Sequence, residues 1–374
     1  GERSAVTADI VLGCDGANSV VRAALGSRMQ TLGPEQRWLV VDASTPADLG
    51  LWDGVHQLCS PHRAGTFMRI GQTRYRWEFE LHNHESAEDY RTLAALEPLI
   101  GPWLGDTART DLDLVRVTEY TFRAQLANRW RDRRVFLLGD AAHLTPPFIG
   151  QGMGAGLRDA HNLTWKMAGV LGGTLTDTAL DTYEQERRPH AKAMIRRAVA
   201  VGWAMNGSSD RAAALRHRAF PMLAHLPGIG SAVTDSATPR LHASMFVHRF
   251  PASRRSLAGT LCPNAPTEGG RRFDDVAPYR FTVITAVVPS REQHHEITRR
   301  GAALLTVAPG SEHGRWLGRI GAIAAIVRPD RTVMATGTSL AALHTLVPVV
   351  AATDAVRDAL APGPHIRNEI EGSR

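Results

Sequence analysis

The sequence predicts a fold of mixed class, α/β around one central stretch and α+β elsewhere, and three observations lead there. Residues 134–171, RVFLLGDAAHLTPPFIGQGMGAGLRDAHNLTWKMAGVL, read as a strand, a tight loop and a helix in series. Residues 74–82, RYRWEFELH, alternate charged and apolar side chains with the period of a strand that has one wet face. Residues 281–346 return short apolar runs divided by turn residues, as in a further small domain.

Length and composition set the frame. At 374 residues and 43% hydrophobic content the chain exceeds one average domain and has ample core material. The formal net charge is +6, but lysine is confined to Lys166 and Lys192 and the arginines are interleaved with acids. No nucleic-acid partner is expected from such a scatter, whereas a basic cleft for NAD(P)H or a carboxylated substrate fits it. Cys14, Cys59 and Cys262 are too few for a disulfide framework, which predicts a reducing compartment and a cytoplasmic location. No apolar run is long enough for a membrane span and no signal-peptide pattern opens the chain. The opening GERSAVTADIVLGCDG enters a strand directly, as in a chain that starts in mid-domain.

Taken in order, residues 8–12 form a first strand that ends at Gly13-Cys14-Asp15-Gly16, with a helical turn from Ser19 through Arg22. Asp15 suits ordering that loop or binding a ribose or water, and Arg22 suits offsetting phosphate charge. The plain alternative is an Asp-Gly turn with Ser19 as helix N-cap. From 37 to 122 the pattern is strands: 38–41, 74–82 and 114–122, with a short helix at 87–96 ended by Pro98 and Gly101. Tyr75, Trp77, Phe79 and Leu81 share the apolar face of their strand, and Arg74, Arg76, Glu78, Glu80 and His82 the other. Arg76 is a candidate carboxylate partner on condition that its face is the pocket face.

In the central stretch, Val135 to Leu138 has the length of a buried parallel strand, closed by Gly139-Asp140. Pro146-Pro147 follow, and glycines recur at 150, 152, 154 and 156 before the helix. A glycine costs roughly 1 kcal/mol in a helix, so these predict an open loop on which a flat ligand presses against backbone. The first N–H groups of the helix favour an anion or a polarised oxygen, and the Asp140 carboxylate suits sugar or polyol hydroxyls. An ordinary corner with glycines for packing is the plain alternative. In the helix, Leu157, Ala160, Leu163, Met167 and Val170 form the expected buried face, and Arg158, Asp159, Asn162 and Lys166 lie off it.

Residues 178–200 read as a long helix interrupted at Pro189, in a YEQERRPH segment suited to packing and arginine salt bridges. A polar break at 206–210, a helix at 211–226 bent at Pro221 and an irregular stretch 227–258 follow. Beyond 259, strands are expected at 281–287 and 303–307, a hairpin at 322–327 and 332–336, and a helix at 339–346. His82-Asn83-His84-Glu85 and His294-His295-Glu296 lack a third ligand at a recognisable spacing, so both read as solvated surface with no metal.

These motifs carry a family resemblance. GDAAHLTPPFIGQGMGAGLRDAHNLTWKM resembles the second flavin-binding motif of the single-component FAD-dependent aromatic hydroxylases of the p-hydroxybenzoate hydroxylase fold, and is closest to the hydroxyphenylpropionate hydroxylase group. CDGANSVVR resembles the Asp-Gly motif of the same family. The resemblance implies a partial FAD-binding domain at 1–30 and 129–205, a mixed β-sheet substrate domain at 31–128, a helical connection at 206–258 and a thioredoxin-like domain at 259–374. It implies FAD contacts from Asp15, Gly16, Arg22, Gly139, Asp140, Ala141, Pro147, Gly150, Gln151, Gly152, Met153 and Gly154, with Pro146 bordering the reactive ring. Many relatives carry a polar or thiol side chain where this chain has Gly154. The implied substrate domain has a sheet that roofs the aromatic pocket, which directs attention to Trp77, Phe79 and Tyr120, each of which also suits plain core packing.

The chemistry implied is reduction of FAD by NAD(P)H, formation of a C4a-hydroperoxide with O2 and attack on a small phenolic acid ortho to its hydroxyl. A larger polyketide-like aromatic is the alternative substrate, and a non-catalytic fragment the alternative outside catalysis. No base for the phenol can be named. Cys262 has no cysteine three positions away, so the thioredoxin-like domain is expected to lack dithiol chemistry, leaving a structural role or a homodimer contact. The family's Gly-x-Gly-x-x-Gly βαβ unit is absent from the sequence, so the resemblance covers essentially all of this chain and about the later two-thirds of a full-length relative.

Overall fold

A computed structural model describes residues 5–60, 62–105, 111–205, 238–249, 256–267, 269–277 and 279–349. The helix expected at 211–226 and the break at 206–210 lie outside them. The chain forms two compact units, Gly1–Gly156 with Ala191–Thr238, and Leu157–His190 with Pro239–Arg374.

The first unit runs β1 (Val11–Gly13), α1 (Val20–Ala24), β2 (Met29–Thr31), β3 (Gln36–Ser44), β4 (His56–Cys59), β5 (Ala64–Arg69), β6 (Arg74–Glu80), α2 (Leu93–Ile100), β7 (Asp113–Phe122), β8 (Gln125–Ala127), β9 (Arg131–Asp132), β10 (Val135–Leu137) and β11 (His143–Leu144). Three sheets result, in orders β1-β10-β9, β11-β8-β2 and β4-β5-β6-β3-β7. In the first, β1 and β10 are parallel, with Leu12 opposite Phe136. The five-stranded sheet is antiparallel throughout.

That sheet has two different faces, and the alternation of β6 sets them. Tyr75, Trp77, Phe79 and Leu81 are buried as expected and join Leu39, Val41, Phe67, Leu96 and Ile100 in one core covered by α2. The helix expected at 87–96 is displaced. A 3-10 turn occupies Ala87–Tyr90, and α2 starts later because the Thr92 side chain caps it by accepting from the Ala95 N–H. Pro98 lies inside α2 on its exposed side.

Helices α3 (Gly152–Leu171) and α4 (Thr178–Met205) correct three expectations. First, α3 begins at Gly152, so Gly154 and Gly156 stand within the helix and not in an open loop. Second, α4 passes through Pro189 without interruption, again with the proline on the exposed side. Third, the buried face of α3 is polar: Asp159, Asn162 and Lys166 are fully buried alongside Leu163, while Leu157 and Ala160 are exposed. Periodicity located a face but hydrophobicity chose the wrong one, because every buried polar group there has a partner within its own unit.

The second unit contains those partners. After α5 (Phe273–Val276) come β12 (Thr282–Thr285), α6 (Arg291–Arg299), β13 (Ala303–Thr306), α7 (Glu312–Gly318), β14 (Ala324–Val327), β15 (Val333–Gly337) and α8 (Leu340–Leu343). The sheet order is β13-β12-β14-β15, with β12 and β13 parallel and β14–β15 a hairpin, which is the thioredoxin-like arrangement expected. One sheet face packs Val283 and Ile326 against Ile297 of α6, Trp165 of α3 and Phe246. The other packs Ile284, Ala325 and Val327 against Phe273, Trp316 and Leu317.

Above the first of these faces lies a buried ionic network. Glu186 of α4 accepts from Lys166 at 3.0 Å, Arg328 at 3.0 Å, Asn162 at 2.8 Å and Ser244 at 2.5 Å. Arg328 also grips Asp330 with Nε and Nη2, and its guanidinium stacks over Trp165 at 5.2 Å. Arg187, the next residue, donates to Asp159 at 2.8 Å. Despite full burial, Glu186 is held down to about 2, because the attraction of Arg328 and Lys166 outweighs its desolvation. Lys166 falls to about 8, chiefly through burial and then through repulsion by Arg328.

Cys262 is buried against the second face, and burial pushes its thiol up, so it is a packing residue with no thiolate character. His294 and His295 are exposed on α6, and Glu296 is engaged by Arg299 and Arg300. The His82 and His84 rings stack 5.9 Å apart, while Glu85 is taken by Arg63 and Tyr90. No group of three or more His, Cys, Asp or Glu poised for a metal ion occurs among the described residues.

Candidate active site

The site is built where β1 and β10 end side by side. Gly13 closes β1 with no room for a side chain, since a Cβ there would lie 2.9 Å from the side chain of Val21. The chain then turns through Gly16, at φ +80°, into α1. Asp15 is folded back onto that helix, accepting from the Ser19 hydroxyl at 2.5 Å and the Val21 N–H at 3.0 Å, and the Ser19 hydroxyl bond leads the effects that hold its carboxyl below the usual range. Ser19 itself caps the Arg22 N–H at 2.9 Å. The loop-ordering role is therefore visible for Asp15.

Arg22 ties the two motifs into one. It donates from Nη2 to the Ala17 carbonyl at 2.7 Å and from Nη1 to the Ala141 carbonyl at 3.0 Å, across 119 residues of chain. It thereby brings a cation to the corner while one donor from each of Nη1 and Nη2 serves the backbone. Beyond β10, Gly139 takes φ +56° and opens a 3-10 turn, Gly139–Ala141. The turn lies close against α3: a Cβ on Gly156 would sit 3.3 Å from the Gly139 Cα, tighter than ordinary contact, and Gly139 itself suits glycine through its positive φ. Ala141 is buried beneath, and Asp140 is exposed at the strand's carboxyl end, with no hydrogen bond to its carboxylate from the described residues.

Next, Pro146 is buried, Pro147 is exposed and starts a second 3-10 turn, and Gly150 reverses the chain at φ +60°. A Cβ on Gly150 or Gly152 would meet nothing within 4 Å, so the backbone between them borders open space. Gln151 is half-buried with Gly152, Met153 is 82% exposed, and the first α-helical bond runs from the Ala155 N–H to the Gln151 carbonyl at 2.9 Å. The N–H groups of Gly152, Met153 and Gly154 precede that bond and have no intrahelical acceptor. A bare backbone shelf, a helix N-terminus and an unoccupied carboxylate suit a flat, polar-edged ring carrying a hydroxylated chain. These residues fit the isoalloxazine and ribityl half of FAD.

The turn after the prolines packs against the five-stranded sheet. Phe148 packs on Trp38 and Phe122, at ring distances of 5.9 Å each, and Trp38 stacks on Phe122 at 5.2 Å. Trp38 and Phe122 lie on the sheet face opposite α2. Tyr120 shares that face beside Phe122 and is 56% exposed. Trp77 and Phe79 lie on the other face, wholly inside the core under α2. The face that meets Phe148 thus carries Arg76, Glu78 and Glu80. The Arg76 guanidinium is already engaged, with Nε and Nη2 on Asp42 at 2.7 and 2.9 Å. Sequence reasoning left out Trp38, Phe148 and Glu78; the strand alternation that separates the faces was legible, but which face α2 covers was not.

Comparison with known proteins agrees with this geometry. The FAD binding domain family matches residues 1–198. The chain is 31% identical over 366 residues to a 3-(3-hydroxy-phenyl)propionate/3-hydroxycinnamic acid hydroxylase of Burkholderia cenocepacia (strain HI2424), covering 90% of this chain and 67% of that protein. It is 39% identical over 197 residues to a probable NADH-specific resorcinol 4-hydroxylase of Rhodococcus jostii (strain RHA1), covering 53% of this chain and 36% of that one. Among solved structures, aklavinone-11 hydroxylase in complex with FAD and aklavinone superposes with a TM-score of 0.71 at 24% identity, over 91% of this chain and 67% of that one. The OxyS anhydrotetracycline hydroxylase from Streptomyces rimosus superposes with a TM-score of 0.67 at 26% identity, over 93% of this chain and 68% of that one. The chain spans about two-thirds of the length of the first of these relatives. With its two motifs joined by Arg22 and its glycine shelf beside Asp140, the chain belongs to the FAD binding domain family, among the FAD-dependent aromatic monooxygenases.

Proposed function

We propose that this chain works in the NAD(P)H- and FAD-dependent hydroxylation of a phenolic ring, ortho to its hydroxyl, with O2 as cosubstrate. The observation that carries the reading is the junction of the two motifs: Arg22 bonded to Ala141, with Asp140 free and the Gly150–Gly152 shelf open next in sequence. When bound, FAD supplies the oxygen-activating chemistry. The chain's own contribution is positioning: Asp140 for chain hydroxyls, the α3 N-terminus for negative charge at the ring edge, and Phe148 with Trp38 and Phe122 as an apolar wall that excludes water.

The named activities of the relatives on hydroxyphenylpropionate and on resorcinol support a small phenol. A larger fused-ring phenol is the second reading, favoured by the likeness to the OxyS anhydrotetracycline hydroxylase. No helix among the described residues is long and apolar enough to cross a membrane. We place the protein in the cytoplasm because three cysteines are too few for a disulfide framework.

The test is flavin affinity. Asp140→Ala is expected to weaken FAD binding about tenfold, the loss of one or two charge-assisted hydrogen bonds, with no change in melting temperature because the carboxylate has no internal partner. Fluorescence titration with FAD and a thermal melt measure the two effects. Unchanged FAD affinity would remove the assigned contact, and failure of the full-length protein to take up flavin would remove the reading itself. A phenol panel assayed with NADH and NADPH, read by product mass, then gives reductant and substrate.

A further inference from the structure

The sheet face that meets Phe148 has a charge pattern that bears on the substrate, given the reading of this protein as a phenol hydroxylase. Its rungs are defined by register. Trp38 lies opposite Glu80 on one side and Tyr120 on the other; Val40 lies opposite Glu78 and Thr118; Asp42 lies opposite Arg76 and Arg116. Thr66 of β5 flanks Glu78 from beyond β6. The aromatic end, at Trp38, is the end that touches Phe148.

The two ends differ in how their charges are satisfied. At the far rung, Arg76 and Asp42 form a bidentate pair, and Arg116 is exposed opposite them. Thr66 is also satisfied, donating to Gln57 at 2.9 Å. At the near and middle rungs, neither Glu80 nor Glu78 has a hydrogen bond or an ion pair to its carboxylate from the described residues, although both are half-buried. Burial leads the causes that raise both carboxyls, with Arg76 partly offsetting it for Glu78 and His82 and Arg63 for Glu80. The buried indole N–H of Trp38 likewise has no partner. An antiparallel rung repeats every two residues, about 6.6 Å. A ring seated at the Trp38 rung against the exposed Tyr120, with a propionate tail, reaches one rung further, so its carboxylate ends at the Glu78 rung and short of Arg76.

We propose that Glu78, with Glu80, makes this site select uncharged polyhydroxylated aromatics over aromatic carboxylates. The unpartnered carboxylates accept hydrogen bonds from ring hydroxyls, Arg76 is neutralised by Asp42, and the exposed Arg116 lies on that same far rung, beyond the reach of the tail. Glu78 is a specificity-determining residue in this scheme, and no proton transfer is assigned to it.

Calorimetric titration of the flavin-loaded protein at neutral pH tests this with two probes: orcinol, and the dihydroxyphenylpropionate that carries the same meta hydroxyls. Orcinol is expected to bind about tenfold more tightly to the wild type. Glu78→Gln, which keeps shape, is expected to bring the two affinities together by tightening the acid, and Glu80→Gln to move them the same way by less. Equal or tighter binding of the acid to the wild type overturns the proposal. So does an unchanged ratio in a Glu78→Gln protein that melts like wild type, or failure of both probes to bind. Flavin absorbance of the full-length protein reads the hydroxylase assignment separately: failure to take up flavin sinks that assignment, and a yellow protein with the wrong ratio of affinities sinks the selectivity alone.

Discussion

Two regions of this molecule bury charge, and they do it in opposite ways. In the second unit, Glu186, Lys166, Arg328 and Asp330 are fully buried and every one is paired, with Asn162 and Ser244 taking up remaining bonding positions. On the sheet face of the first unit, Arg76 and Asp42 are paired but Glu78 and Glu80 are half-buried without partners. A closed network is a finished piece of structure: it fixes α3 and α4 against the β14–β15 hairpin and leaves nothing for a ligand to bind. An open one costs stability in the free protein, which is what a site kept for a ligand looks like.

Breaking the closed network gives the largest effect. Arg328→Ala leaves Asp330 buried without its cation and Glu186 with Lys166 alone, and is expected to destabilise the protein by about 3–5 kcal/mol in a denaturant melt. A loss below about 1 kcal/mol would mean that the pairing is dispensable. Acid sharpens the same point by on the order of 3 kcal/mol. The Glu186 pKa is lowered in the folded state to about 2 from an ordinary 4.5, so its contribution is fully present above 4.5 and is lost as pH falls toward 2. Melts of Glu186→Gln and wild type should therefore converge as pH falls through that window, and parallel curves would refute the assignment.

The same contrast explains what could be read from the chain. The strand–loop–helix order of the flavin corner was legible because glycine, proline and the Val135–Leu137 run are local signals. The face of β6 was legible because alternation is local too. The polar face of α3 was not, since the partners of Asn162 and Lys166 lie 20 to 168 residues away and only the folded chain shows that those polar groups are satisfied. Helix α6 was missed, although Ser290 and Gln293 form a capping box that marks its start. Helices α2 and α4 show the limit of proline as punctuation: Pro98 and Pro189 stay helical, both on the exposed sides of their helices.

The smallest expected effect is also the one with the opposite sign. Glu78 has its carboxyl pKa raised in the folded protein above the ordinary 4.5, chiefly by burial. The folded state therefore holds that proton more tightly than the unfolded one, and the cost of ionising it is absent below 4.5 and grows as pH rises through the raised folded value. Glu78→Gln removes that cost and leaves no hydrogen-bond partner behind, so the variant is expected to be more stable than wild type by about 0.5–1 kcal/mol at neutral pH and equal to it in acid. Thermal melts at the two pH values measure the difference. A Glu78→Gln protein less stable at neutral pH would show a carboxylate already satisfied, and the sheet face would then join the closed network as structure. A gain would show stability given up at the position assigned to choosing the substrate, which paired charges such as Glu186 never do.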